Sequence, residues 1–296
     1  MATQDTIPQP AGFDLQAFLA GMLQPDLKRL AGCLASLPVD CSVEQIHESR
    51  VLIRALRSKL DTFGPLLKRF ATRTATRRLQ WLDSLLAPLR NTDVTSELLA
   101  DMLLIDSTSS QETKDFIRFI SRELANQRVG HVQALLDQLD EPRGLALRNE
   151  MAQIVSEPRI RNSVSALRAD EQLQLVSGCL RRERKRLLRL AIQAKRHPSR
   201  RRLHRVRIQA KQVHYSYQAT QAQGVISDIG TVTLSRQLHK LLGRHQDAVM
   251  VETWLEGIRI TSVTNLSERR KLLLTLKRSR QKCFSKYERL LSTTDH

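Results

Sequence analysis

Apolar residues recur along this chain at intervals of three and four, the spacing of a helix with one buried face. In "IHESRVLIRALRSKLDTF", Ile46, Ile53, Leu56, Leu60 and Phe63 share one side of a helical wheel. His47, Arg50, Arg54 and Arg57 fall beside them within an arc of about 80° at 100° per residue. In "LHRVRIQAKQVHYSYQ" the same division recurs, with Leu203, Val206, Ala210, Val213 and Tyr217 inward beside His204, Arg207, Lys211 and His214. The pattern predicts helices over about 13–36, 43–69, 72–90, 93–104, 110–139, 143–156, 164–196, 199–222, 229–257 and 265–292, with a break allowed inside 229–257. Few β-branched or aromatic runs interrupt it, so the fold class is all-α.

The stops have physical causes. Ser42 and Gln45 have capping-box spacing. Pro142, Pro158 and Pro198 lack the N–H that a helix interior needs, and each marks an entry or a break. Gly64-Pro65 ends or kinks the helix begun at Ser42, and Gly224 and Gly230 bracket a loop. Residues 1–12 contain Pro and Gln without an apolar period and are expected to be disordered.

The two quoted stretches correspond residue for residue: His47 with His204, Arg50 with Arg207, Arg54 with Lys211 and Arg57 with His214, all 157 positions apart. A second pair, "LLAPLRNTDV" and "LLGRHQDAVM", aligns at a shift of 156, so that Asn91 answers Asp247. From histidine to this polar residue is 44 positions in the first copy and 43 in the second. These agreements point to internal duplication, with helical halves over about 13–155 and 156–292.

Charge changes the picture. The formal net charge is +18, but residues 1–150 carry 18 Lys/Arg against 19 Asp/Glu and residues 151–296 carry 30 against 11. Within Arg181–Lys211 there are 14 basic residues and one acid, Glu183. Such a field concentrates polyanions by long-range attraction. Cys33, Cys41, Cys179 and Cys283 have neither zinc-type spacing nor the density of a disulfide scaffold, which fits a reducing compartment. The first residues make a poor signal peptide, and no run approaches the roughly 20 apolar residues of a membrane span. The expectation is a cytoplasmic protein without a membrane partner.

Arginine stripes suit a polyanion that carries phosphate groups, because the planar guanidinium can give two hydrogen bonds to phosphate oxygens while lysine supplies a compact charge. Arg182, Arg186 and Arg189 add a further basic face at helical spacing. A merely solvated face and a nucleic-acid patch are the alternatives. No aromatic residue interleaves Arg181–Arg207, which leaves little for base stacking. His47 and His204 are either additional donors to a bound anion or neutral braces of the fold. Asn91 and Asp247 are isolated and suit orienting roles, accepting hydrogen bonds from a neighbouring basic side chain. No common phosphate-loop, acyl-transfer or zinc-protease motif occurs, so no catalytic residue, metal site or cofactor is assigned.

The quoted segments, in this order and spacing, resemble the CHAD domain family, an α-helical family containing characteristic histidines. The resemblance spans most of the chain, 13–292. It implies two pseudo-symmetric antiparallel helical bundles with basic residues of both lining a central groove, and noncatalytic binding of inorganic polyphosphate. Carried over, it points to His47, Arg50, Arg54 and Arg57 and to His204, Arg207 and Lys211 as phosphate contacts. It also implies association with polyphosphate granules. The chain departs from the family pattern at His214, where another basic residue is usual, and at Ala87 and Asn91, where Gly and Asp are common. Nonspecific binding of nucleic-acid backbones remains the alternative function.

Overall fold

The structure, a computed structural model, describes residues 12–105, 110–142, 144, 158–225 and 228–292. The helix expected over 143–156 and the segment 1–12 lie outside these residues except at 144 and 12. The long helices are α1 (Leu15–Ser36), α2 (Val43–Phe63), α3 (Arg69–Ile105), α4 (Gln111–Asp140), α5 (Ala169–Arg196), α6 (Arg200–Ala222), α7 (Ile229–Gly257) and α8 (Val263–Ser292). Among the described residues there is no strand, only an isolated antiparallel bridge between Leu67 and Ile160.

Several helix ends follow from local chemistry. The Ser42 hydroxyl accepts from Gln45 N at 3.3 Å and caps α2. The expected reciprocal bond is absent: the Gln45 amide donates to Cys33 O at 3.1 Å and to the Ser36 hydroxyl, tying α2 to the end of α1. Helix α2 stops at Phe63, short of the expected 69, because Gly64-Pro65 opens a single 3-10 turn over Gly64–Leu66. Ser199 caps α6 through Arg202 N at 3.2 Å, and α6 ends before Gly224, whose φ of +68° suits glycine. Helix α3 corrects the expected break near 90–93 by running through Pro88. Leu82, Leu86, Leu89 and Leu99 are all buried, so packing on either side of the proline outweighs its missing hydrogen bond.

The chain forms two compact units, Met1–Leu86 with Leu136–His239, and Ala87–Leu135 with Lys240–His296. These are not the sequence halves 13–155 and 156–292. Each unit draws on both halves, because elements distant in sequence pack on one another. In the first unit α1 packs on α2, α5 on α6, and α2 on α6. All ten residues assigned inward on the two basic helices are buried, from Ile46 and Ile53 at 0% exposed to Leu60 and Leu203 at 5%. Phe18 of α1 meets Phe63 of α2 edge to face at 5.9 Å. Lys59 closes the same interface, donating to Met22 O at 2.7 Å and Asp26 Oδ2 at 2.8 Å.

The second unit has its own core of Leu99, Phe116, Ile117, Ile120, Leu124, Ala248, Val251, Leu255, Leu272 and Leu276. Buried carboxylates in this unit are paired: Asp93 with Arg128 at 2.8 Å, Glu268 with Lys271 at 2.5 Å, and Glu252 with Arg280.

Candidate anion-binding cleft

Within the first unit, α2 and α6 carry their basic faces to a cleft of about 230 Å³. Arg54, Arg57, Ser58 and Asp61 line it from α2, Asp83 from α3, and His204, Arg207, Ile208, Lys211 and Gln212 from α6. The apolar faces of α2 and α6 are both buried, and the stripes next to them therefore border one space. That follows from the 3.6-residue period: each stripe lies a fraction of a turn from the packed face.

The two sides differ in electrostatics. Asp83 is the focus of the α2 arginines: its Oδ1 lies 3.2 Å from Arg50 Nη1 and 3.7 Å from Arg54 Nε, and its Oδ2 lies 3.7 Å from Arg57 Nη1. Arg50 Nη1 also donates to Asp83 O at 2.6 Å. At 6% exposed, Arg50 is a buried strut between α2 and α3. Arg54 and Arg57 keep about 30% of their side chains exposed and are accessible in the cleft. At a shift of 157 Arg57 corresponds to His214, and at 156 Asp83 corresponds to His239. The His214 and His239 rings lie 4.9 Å apart, so an imidazole pair stands at the positions that correspond in sequence to Arg57 and Asp83, which form an ion pair. His214 does not line the cleft, because its half-buried ring is packed against His239.

Asp61, one helical turn after Arg57, is exposed at the edge of the cleft. Partial desolvation pushes its carboxyl above the usual range; Arg57 and Arg186 oppose the rise and Glu183 adds to it. Asp61 and Asp83 set a limit on the cleft, since an incoming anion meets two carboxylates among Arg54, Arg57, His204, Arg207 and Lys211.

Other expected contacts stand apart from this lining. His204 lines the cleft, whereas the exposed His47 does not. Arg182 and Arg186 are exposed but bound to Glu183, at 3.0 Å and 4.0 Å, and Arg182 Nη2 donates to Thr62 O at 3.1 Å. Arg182 thereby ties α5 to α2, while Arg186 pairs within α5. Arg189 is exposed on α5. Asn91 and Asp247 belong to the second unit, and Asn91 is exposed. The buried acceptor near Asn91 is Asp93, two residues on, which holds Arg128.

Sequence reasoning missed Asp83, Asp61, Ser58 and Gln212. Asp61 carries a local signal, its i,i+4 spacing from Arg57. Asp83 has none, because it reaches the cleft from another helix. Among the described residues no cluster of His, Cys, Asp or Glu could hold a metal ion, and no helix is long and apolar enough to cross a membrane.

The CHAD domain family matches residues 15–256. The chain belongs to the CHAD domain family. Two solved structures share its all-α fold. One is PptA from Streptomyces chartreusis, with a TM-score of 0.75 at 17% identity, covering 93% of this chain and 98% of that one. The other is the CHAD domain from the plant Ricinus communis, with a TM-score of 0.64 at 18% identity, covering 95% of this chain and 93% of that one. A search of curated proteins gave no match. For this CHAD chain, the family assignment and the geometry meet at the α2 and α6 stripes, which carry the histidines and arginines of the repeated motif.

Proposed function

We propose that this CHAD domain is a noncatalytic module that binds inorganic polyphosphate in the cleft between α2 and α6. The observation that carries this reading is the convergence of Arg54, Arg57, His204, Arg207 and Lys211 on one open space from two helices. A phosphate chain offers a line of charged oxygens and no apolar or aromatic body, and such a ligand needs a line of donors rather than an enclosed apolar pocket. Ile208 is the one aliphatic side chain of the lining, and no Phe, Tyr or Trp contributes a stacking surface. Binding to nucleic-acid backbones is therefore the weaker reading. Duplication of an ancestral helical unit accounts for donors of the same type arriving from α2 and α6. The module would hold its protein at polyphosphate-rich bodies in the cytoplasm.

The test is competition at fixed ionic strength, because counterion release dominates polyanion affinities. Labelled long-chain polyphosphate is challenged with DNA, RNA and tripolyphosphate at equal phosphate concentration. Unlabelled long-chain polyphosphate is expected to displace the probe at least tenfold more effectively than either nucleic acid. Equal displacement by DNA or RNA would replace this reading with general polyanion binding.

A further inference from the structure

A larger cleft, about 680 Å³, opens at the junction of α2, the Gly64–Leu66 turn and the start of α3. Arg69, Arg73 and Arg77 line it from successive turns of α3, with Thr72 and Thr76 between them and Arg161 opposite. At four-residue spacing the three α3 arginines are about 6 Å apart along the helix axis. They are exposed and have no acceptor among the described residues. Arg161 is held in place: its backbone N donates to Leu66 O at 3.0 Å and its Nε to Leu67 O at 2.9 Å. Its two Nη groups have no acceptor among the described residues. The Thr76 hydroxyl is likewise available as a donor, whereas the Thr72 hydroxyl is committed to Lys68 O at 3.1 Å.

This cleft differs from the first in its charge balance. There, Asp83 already occupies the arginines of α2; here four guanidinium groups face a single carboxylate, Asp61. Asp61 also lines the first cleft, so the two adjoin at that side chain. Four outward guanidinium groups around an open, shallow space repel one another, and an oxyanion relieves that repulsion while accepting forked hydrogen bonds.

We propose that the cleft of Arg69, Arg73, Arg77 and Arg161 is a second phosphate-binding site, taking a further segment of the same polyphosphate chain that occupies the cleft between α2 and α6. The inference rests on the polyphosphate reading above and adds to it a length requirement. A chain long enough to pass Asp61 engages both clefts and gains by effective concentration, whereas a short one fills each cleft separately.

The test compares wild type with an Arg69→Gln, Arg73→Gln, Arg77→Gln variant. Glutamine keeps the helix propensity of these exposed positions. Because loss of three charges weakens any polyanion binder, a charge-matched control carries Arg270→Gln, Lys277→Gln and Lys282→Gln, exposed positions of α8. Relative to the control, the cleft variant is expected to lose about tenfold in affinity for long-chain polyphosphate. Its slope of log K against log salt should become shallower by roughly two. Calorimetry with tripolyphosphate is expected to find two bound per wild-type chain and one per cleft variant. Matching affinity and stoichiometry in the variant and the control would overturn the second site while leaving the first intact. A wild type that binds no polyphosphate would overturn both. Loss confined to single-stranded DNA, for which the exposed Phe70 beside these arginines offers a stacking surface, would assign the cleft to nucleic acid and overturn the proposal.

Discussion

At the scale of single residues, Asp83 decides how much of the α2 stripe a ligand can use. One carboxylate serving Arg50, Arg54 and Arg57 leaves the group two charges in excess, and the buried Arg50 depends on it most. Replacing Asp83 with Asn removes the counter-charge while keeping the shape. The expected result is a loss of about 1–3 kcal/mol of stability, moderated by the exposure of Arg54 and Arg57. An anion can then take the vacated role. Saturating polyphosphate is therefore expected to raise the melting temperature of Asp83→Asn by more than that of wild type. A smaller or equal rise would mean that the α2 arginines do not reach the ligand. The sequence exposed the arginines through their period but not their shared acceptor, because the helical wheel describes only neighbours on one helix. Asp83 enters from α3, 33 positions beyond Arg50. The same limit hid His239 opposite His214.

At the scale of elements, the apolar faces were legible and the polar contacts between helices were not. Ile46 to Phe63 on α2 and Leu203 to Tyr217 on α6 are buried as their spacing predicts, since one buried stripe is all an amphipathic period has to specify. The polar knot joining α2, α5 and α6 needs three-dimensional proximity. Glu183, 3% exposed, accepts from Gln209 at 2.9 Å, Gln212 at 3.2 Å and Arg182 at 3.0 Å. Thr62 and Ser216 continue it, 2.8 Å apart. In the sequence Glu183 is merely the one acid of a basic run; in the fold it is the acceptor that allows α5 and α6 to approach α2 with polar groups satisfied. Substituting Glu183 with Ala leaves the buried Gln209 amide without its side-chain acceptor and removes the carboxylate bound by Arg182 and Arg186. The expected loss is about 2–4 kcal/mol in denaturant titration. A loss below about 0.5 kcal/mol would make the knot incidental to the packing.

At the scale of the whole molecule, the compact units redistribute the charge. Sequence halves divide it as −1 and +19 about residue 150. The unit of Met1–Leu86 with Leu136–His239 carries 31 Lys/Arg against 17 Asp/Glu, a net of +14, and the other unit 17 against 13, a net of +4. The near-neutral first half thus contributes Arg54, Arg57, Arg69, Arg73 and Arg77 to the strongly basic unit, something a linear count conceals. Self-repulsion at +14 opposes compactness, and a ligand that binds only the folded state stabilises it by mass action. At a concentration one hundred times its dissociation constant, polyphosphate contributes about 2.7 kcal/mol. This stabilisation should be local before it is global. Hydrogen exchange measured with and without long-chain polyphosphate is expected to slow by at least tenfold at amides of α2, α6 and the first turns of α3, which border the two clefts. Amides of α8 in the less basic unit should slow less. A neutral crowding polymer at equal mass should not reproduce the pattern, since excluded volume acts on compactness rather than on charge. Equal slowing in both units would indicate that polyphosphate acts on the overall field of the protein, and it would remove the clefts as its binding sites.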